Sequence, residues 1–130
     1  MREIFSEADG NDRTIMIAKT LRSGQTVVYD GNVVVLGDLN PGAEIIARGH
    51  VLVMGSLRGF VHAGSSGMRD ATVTALDMNP TQIRICDYVT RPPDNEYVKS
   101  ENIAETARIK DGGIVIEAYR YGANRLPSQT

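Results

Sequence analysis

Between Leu21 and Ala63 an apolar residue recurs every six positions: Leu21, Val27, Val33, Leu39, Ile45, Val51, Leu57 and Ala63. A helix builds one face through steps of three and four, so a strict six-step series cannot be buried on it. The same segment is dense in Val and Gly, which suit strands and corners and weaken helices. A slower period contains the six. Aligning "GNVVVLGDLNPGAEIIAR" from Gly31 with "GHVLVMGSLRGFVHAGSS" from Gly49 matches Gly31 with Gly49, Val33 with Val51, Val35 with Val53, Gly37 with Gly55 and Leu39 with Leu57, an internal repeat of eighteen. Eighteen residues made of three sixes describe a coil with three flat sides, stacked about 4.8 Å from the next coil. The expectation is an all-β, single-stranded parallel β-helix of triangular cross-section, with about 18 residues per coil. Its core takes the six-step residues from Val27 to Leu57 with Val35 and Val53, while Gly31, Gly37, Gly49 and Gly55 turn corners.

After Ala63 the phase slips by about two residues before Val73, which puts His62–Asp70 in a bulge at a corner; "TQIRIC" then resumes with Ile83 and Ile85 pointing inward. "TRPPDNEY" reads as a loop or hinge, because prolines cannot donate to a ladder. A C-terminal strand pair follows in "ARIKDGGIVIEAY", Ala107–Lys110 and Ile114–Tyr119 joined by a turn at Asp111-Gly112-Gly113. The 130 residues are enough for one core without disulfides or metals. The division expected is a flexible N-terminal segment over 1–13, the β-helix domain over 14–118 and a polar tail over 119–130.

The 14 basic and 16 acidic side chains leave a formal charge of -2, and no basic stripe is long enough to track a phosphate backbone, so nucleic acid is not an expected partner. Cys86, the single cysteine, has no second thiol or ligand-spaced histidine near it and reads as a small core residue in a reducing compartment. No apolar run approaches the roughly 20 residues of a membrane span, and "MREIFSEADG" is polar and acidic where a signal peptide is basic and then apolar. A cytoplasmic chain is expected, touching a membrane only through a partner.

Candidate chemistry is sparse. His50 and His62 lie near corners, and stacked six-step scaffolds also serve acyltransferases that use a histidine as general base. Neither histidine has a carboxylate beside it in sequence, and the chain has no phosphate loop, no Cys/His ligand spacing and no G-x-S-x-G elbow. A solvated corner histidine is the competing reading; no catalytic residue, metal or cofactor is assigned. The outward side chains say more. If Val33 and Val35 face in, Val34 and Leu36 face out, and Leu52 and Met54 repeat them one coil later. These four form an apolar face to be covered by a second copy of the chain or by its own C-terminal segment. One coil step below Arg22-Ser23-Gly24-Gln25 lies Asn40-Pro41-Gly42-Ala43, and one below that Arg58-Gly59-Phe60-Val61. Arg22, Asn40 and Arg58 then form a polar column beside small residues. Small side chains let another backbone approach, and Arg offers a planar fork to a carboxylate or carbonyl; a hydrated corner with a loose arginine is the alternative.

The stretch from Thr20 to Cys86, with "RSGQ", "GDLNPGAE", "GSLRG", "HAG" and "NPTQIRI", resembles the C-terminal domain of the bacterial septum-site determining protein MinC, an inhibitor of division-ring assembly. The match covers about residues 14 to 90. The resemblance implies a right-handed triangular β-helix that homodimerises through one face. It also implies that Arg22, Ser23, Gly24 and Gln25 bind ATP-bound MinD, a membrane-associated ATPase that would recruit the chain to the inner face of the cell membrane. Asn40 and Arg58 join that set through the column alone. In the family a separate N-terminal domain acts on FtsZ; about 13 residues precede the match, so that domain is not expected here and FtsZ would be reached directly or through it. Two other classes remain open: a hexapeptide-like acyltransferase, and a bactofilin-like β-helix that polymerises through its bare ends.

Overall fold

The computed structural model describes residues 13–90 and 103–119. Its strands run in the order β1 (Thr14–Ile17), β2 (Thr26–Tyr29), β3 (Asn32–Val35), β4 (Glu44–Ala47), β5 (Val51–Leu57) and β6 (Phe60–Ala63). They continue as β7 (Val73–Met78), β8 (Gln82–Ile85), β9 (Tyr88–Val89), β10 (Glu105–Lys110) and β11 (Gly113–Ala118). Alternate strands build alternate sides. The first sheet has the order β1-β3-β5-β7-β10-β11 and the second β2-β4-β6-β8-β9. The third side is narrow, formed by the bridges Leu21↔Leu39 and Leu39↔Leu57 and by the end of β5 against β7, where Leu57 pairs with Met78. Parallel pairing stacks like on like: Ile15, Val33, Val51 and Val73 form one interior column, and Val27, Ile45, Val61 and Ile83 another.

The six-step residues are buried as the period implies, with one exception: Leu21, Val33, Leu39, Ile45, Val51, Leu57 and Ala63 are in the core, while Val27 is half-buried. Val27 belongs to the first strand of the second sheet, so it has a coil on one side only; Ile15, Ile17 and Tyr29 are half-buried at the same end.

The corner glycines act differently from expectation. Gly31, Gly37, Gly49 and Gly55 are not among the residues with positive φ. A Cβ on Gly31 would stand 2.5 Å from the carbonyl oxygen of Arg13, and one on Gly37 2.8 Å from that of Lys19. These positions exclude side chains because the coil above passes so close, a constraint that β-solenoids concentrate at corners.

The register also corrects the uniform eighteen. Ile45 pairs with Val61, sixteen residues on, so the slip begins at the shortened corner Arg58-Gly59, before Ala63. Val51 then pairs with Val73, twenty-two on, because the following corner is enlarged. His62 lies inside β6, and the enlargement starts at Gly64. The "TQIRIC" strand carries Ile83 and Ile85 fully buried. It then turns back at Cys86-Asp87 into β9, a hairpin absent from the sequence reading, with Cys86 at φ 57 and buried. Arg69, in the enlarged corner, donates to the Tyr88 hydroxyl at 2.8 Å and stacks over its ring at 5.0 Å, tying corner to hairpin. The C-terminal pair begins two residues earlier than expected, at Glu105, and turns at Asp111-Gly112, both with positive φ, so Gly113 already belongs to β11. The turn matches the type that a two-residue hairpin favours. Of the Pro-containing stretch 90–97 only Thr90 is described, its N–H donating to the Ile83 carbonyl at 2.9 Å; the rest of it, the segment before Arg13 and the tail after Tyr119 lie outside the described residues.

Candidate functional site

Two tight turns stack at the corner between the third side and the second sheet. In Arg22-Ser23-Gly24-Gln25 the Gln25 N–H donates to the Arg22 carbonyl at 2.9 Å, and in Asn40-Pro41-Gly42-Ala43 the Ala43 N–H donates to the Asn40 carbonyl at 3.0 Å. Gly24 and Gly42 both have φ 89 at the third turn position, which only Gly adopts without strain, and Pro41 presets the second. The Gly24 N–H donates to the Gly42 carbonyl at 2.9 Å, which locks one turn on the other. Gln25 also accepts the Arg22 N–H on Oε1 at 2.7 Å, so its side chain braces its own turn. The Ser23 side chain fills the space a Cβ on Gly42 would need.

The structure brings Arg22, Asn40 and Arg58 onto successive rungs: the Asn40 N–H donates to the Leu21 carbonyl and the Arg58 N–H to the Leu39 carbonyl. Arg22, Ser23, Gly24, Gln25 and Arg58 are exposed and Asn40 is half-buried. The shortened third corner changes what lies beneath the turns. Gly59, rather than a third complete turn, sits against the carbonyls of Asn40 and Ala43 at 2.6 and 2.5 Å from where its Cβ would be. Phe60 moves up to pair with Glu44. Between these rungs lies an open depression of about 200 Å³ lined by Gly24, Thr26, Gly42, Ala43, Glu44, Phe60 and Thr81. The strict repeat missed Glu44, Phe60 and Thr81 because it carried Phe60 two residues out of register; the loss of the Pro-Gly pair in "LRGF" was the available signal. The Thr26 hydroxyl donates to Glu44 Oε1 at 3.2 Å, which holds that carboxylate along the wall.

The apolar face is also assembled. Met16, Val34 and Leu52 align across the first sheet, and Leu36, Met54 and Leu76 follow the paired Val35, Val53 and Ala75. Leu36, Met54 and Leu76 are 43–47% exposed and Met16 63%. Met16 and Leu76 extend the expected set by one strand each way. The C-terminal pair does not fold over these residues: β10 joins the edge of β7 and continues the sheet.

The two histidines face backbone groups. His50 Nδ1 accepts the Thr72 N–H at 3.0 Å, and His62 Nε2 donates to the Cys86 carbonyl at 3.0 Å. In these contacts neither histidine meets a carboxylate that would orient it as a general base. Other corners carry polar ladders: the Ser56 N–H donates to Asp38 Oδ1, the His50 N–H to Asn32 Oδ1, and Arg48 to Asp30 at 2.7 Å. The Arg48 hydrogen bond, then its charge and that of Arg13, hold the Asp30 carboxyl below the usual carboxylate range. Among the described residues no group of three or more His, Cys, Asp or Glu side chains is placed to hold a metal ion, and no helix is long and apolar enough to cross a membrane.

A triangular β-helix with stacked polar turns at one corner and an open apolar sheet face defines a class of small β-solenoids. The family model described as septum formation inhibitor MinC, C-terminal domain, matches residues 15–119, and the chain belongs to that family. A probable septum site-determining protein MinC of Heliobacterium modesticaldum is 55% identical over 113 residues, which are 87% of this chain and 39% of that protein. One of Acetivibrio thermocellus is 57% identical over 100 residues, 77% of this chain and 44% of that protein. The matched part of the chain thus spans less than half the length of these two relatives. A solved chain of the MinC:MinD cell division protein complex of Aquifex aeolicus superposes with a TM-score of 0.75 at 35% identity, covering 88% of this chain and 92% of that one.

Proposed function

We propose that this chain is the docking and self-association module of a cell-division inhibitor: its Arg22–Gln25 corner binds ATP-bound MinD, and its first sheet pairs with a second copy. The reading rests above all on the two locked turns, which display Arg22 beside Ser23 and Gly24 on a rigid rung. The likeness to a solved MinC:MinD complex supplies the partner. An arginine fork next to small residues gives a partner carboxylate or carbonyl two hydrogen bonds and leaves its backbone room to approach. Rigid turns also lose little entropy on binding. Asn40 and Arg58 extend the polar column, while Gln25 acts chiefly by holding the turn. Homodimerisation through Val34, Leu36, Leu52 and Met54 gives each assembly two docking sites, which raises avidity for MinD crowded on a membrane. The cytoplasmic chain is thereby recruited peripherally to the membrane, and placement of the septum by negative regulation of FtsZ assembly follows from that delivery.

A titration of ATP-loaded MinD, with melting curves alongside, tests the corner. Arg22→Ala removes charge-assisted hydrogen bonds, an effect of about 1.5–3 kcal/mol or a ten- to hundredfold weakening. Gly24→Val puts bulk on the approach path and also strains a turn whose φ of 89 suits Gly, so its affinity is read against its melting curve; Arg58→Ala weakens binding less, whereas Arg108→Ala, paired with Glu117 on the far hairpin, leaves it unchanged. Unchanged affinity in both the Arg22 and Gly24 variants would return this stretch to an ordinary corner.

A further inference from the structure

We infer that the MinD footprint does not end at the corner but continues onto the outer face of the second sheet, where Val28 and Ile46 form its apolar anchor; this rests on the docking reading above. Val28 is 70% exposed, more than any other large apolar side chain among the described residues. It is paired with Ile46, which is paired with His62, so the two aliphatic side chains lie on adjacent rungs. The neighbouring column on the same face is Thr26, Glu44 and Phe60, three of the residues lining the depression beside Gly24 and Gly42. Polar corner, open depression and aliphatic pair are therefore one continuous surface across two coils.

Three observations assign this surface to the same partner. It shares the depression's wall with the docking corner, so a chain seated on Arg22 and Gly24 covers Thr26 and Glu44 and reaches Val28 next. It lies on a different side of the triangle from the first sheet, so pairing of that sheet leaves it free. Its composition divides as protein interfaces do, with the aliphatic pair flanked by Arg22, Arg58 and Glu44 on the corner side and by the exposed Asp30–Arg48 ion pair on the other. The complementary surface on MinD would carry an apolar side chain against Val28 and Ile46, an acidic group toward Arg22 and a basic group toward Glu44. Glu44 thereby selects as well as holds, since a partner acid placed opposite it is repelled.

The test uses the full chain and ATP-loaded MinD. Val28→Glu, at a surface position, should keep the wild-type melting curve and weaken binding at least tenfold, while Val28→Leu should stay within about threefold of wild type. Val89→Glu adds the same charge to the far edge of the same sheet, on β9, and should bind as wild type. Arg22→Ala is measured in parallel. A tenfold loss in Arg22→Ala with full affinity in Val28→Glu would confine the footprint to the corner and overturn this inference alone. Full affinity in both variants would overturn the docking reading and the inference with it. Equal losses in Val28→Glu and Val89→Glu would reduce the effect to net charge and overturn the anchor.

Discussion

At the scale of single residues, the repeat is enforced most tightly where side chains are missing. A Cβ on Gly55 would stand 2.8 Å from the carbonyl carbon of Gly37, with the Gly37 oxygen closer still, and both neighbours are backbone atoms that cannot swing aside. Gly55→Ala should therefore destabilise the domain by about 1–3 kcal/mol, as overpacking does, a fall of roughly 4 °C or more in a melting scan. The charged corner behaves otherwise. Because the Asp30 carboxyl is held below its ordinary range by Arg48, its contribution to stability is present above the unfolded value and disappears as pH falls through the folded one. Melting temperatures of wild type and Asp30→Asn should thus differ slightly at neutral pH and converge in acid, the difference being small because both partners are more than half exposed. The positions of these glycines were legible in the sequence, but their reason was not. Period alone cannot distinguish a glycine needed for φ, such as Gly24, from one needed for close approach, such as Gly37, since both recur with the coil.

At the scale of elements, the short strands from β2 to β6 followed from Val and Ile spacing, whereas the hairpin β8–β9 did not. Its turn residues are Cys86 and Asp87, and Cys86 takes a positive φ that a Gly or Asn would have signalled. The register slip at Arg58-Gly59 was hidden for a related reason. Apolar residues sit on both sides of the shortened corner, so the six-step series reads straight through to Ala63 although the pairing has moved by two. The proposed docking corner shows the consequence: the stacked column of Arg22, Asn40 and Arg58 was readable, and the depression beside it was not. On the first sheet the alternation of inward and outward side chains held, and the exposed row came out longer than four residues. Leu52→Lys with Met54→Lys should convert a dimer into a folded monomer in sedimentation velocity, with an unchanged far-ultraviolet circular dichroism spectrum. A double variant that still sediments as the wild-type dimer would place the contact on another face.

At the scale of the whole molecule, each coil contributes one layer to interior columns, so a single wrong layer is felt above and below. Val51 lies between Val33 and Val73 and is 1% exposed. Val51→Asp would place a charge without water between them, at a cost of several kcal/mol against a total stability of about 5–15 kcal/mol. The expected outcome is loss of the cooperative melting transition. The triangular section also gives the molecule separate sides, and the proposed division of labour depends on that separation: one side for a second copy, the opposite corner and adjoining side for MinD. A titration of ATP-loaded MinD into the Leu52→Lys, Met54→Lys double variant in solution tests it most directly. The expected result is a monomer that binds MinD with the same affinity per chain as the wild type, with avidity lost only where MinD is crowded on a membrane. A folded monomer that no longer binds MinD in solution would contradict it, because the two surfaces would then be one.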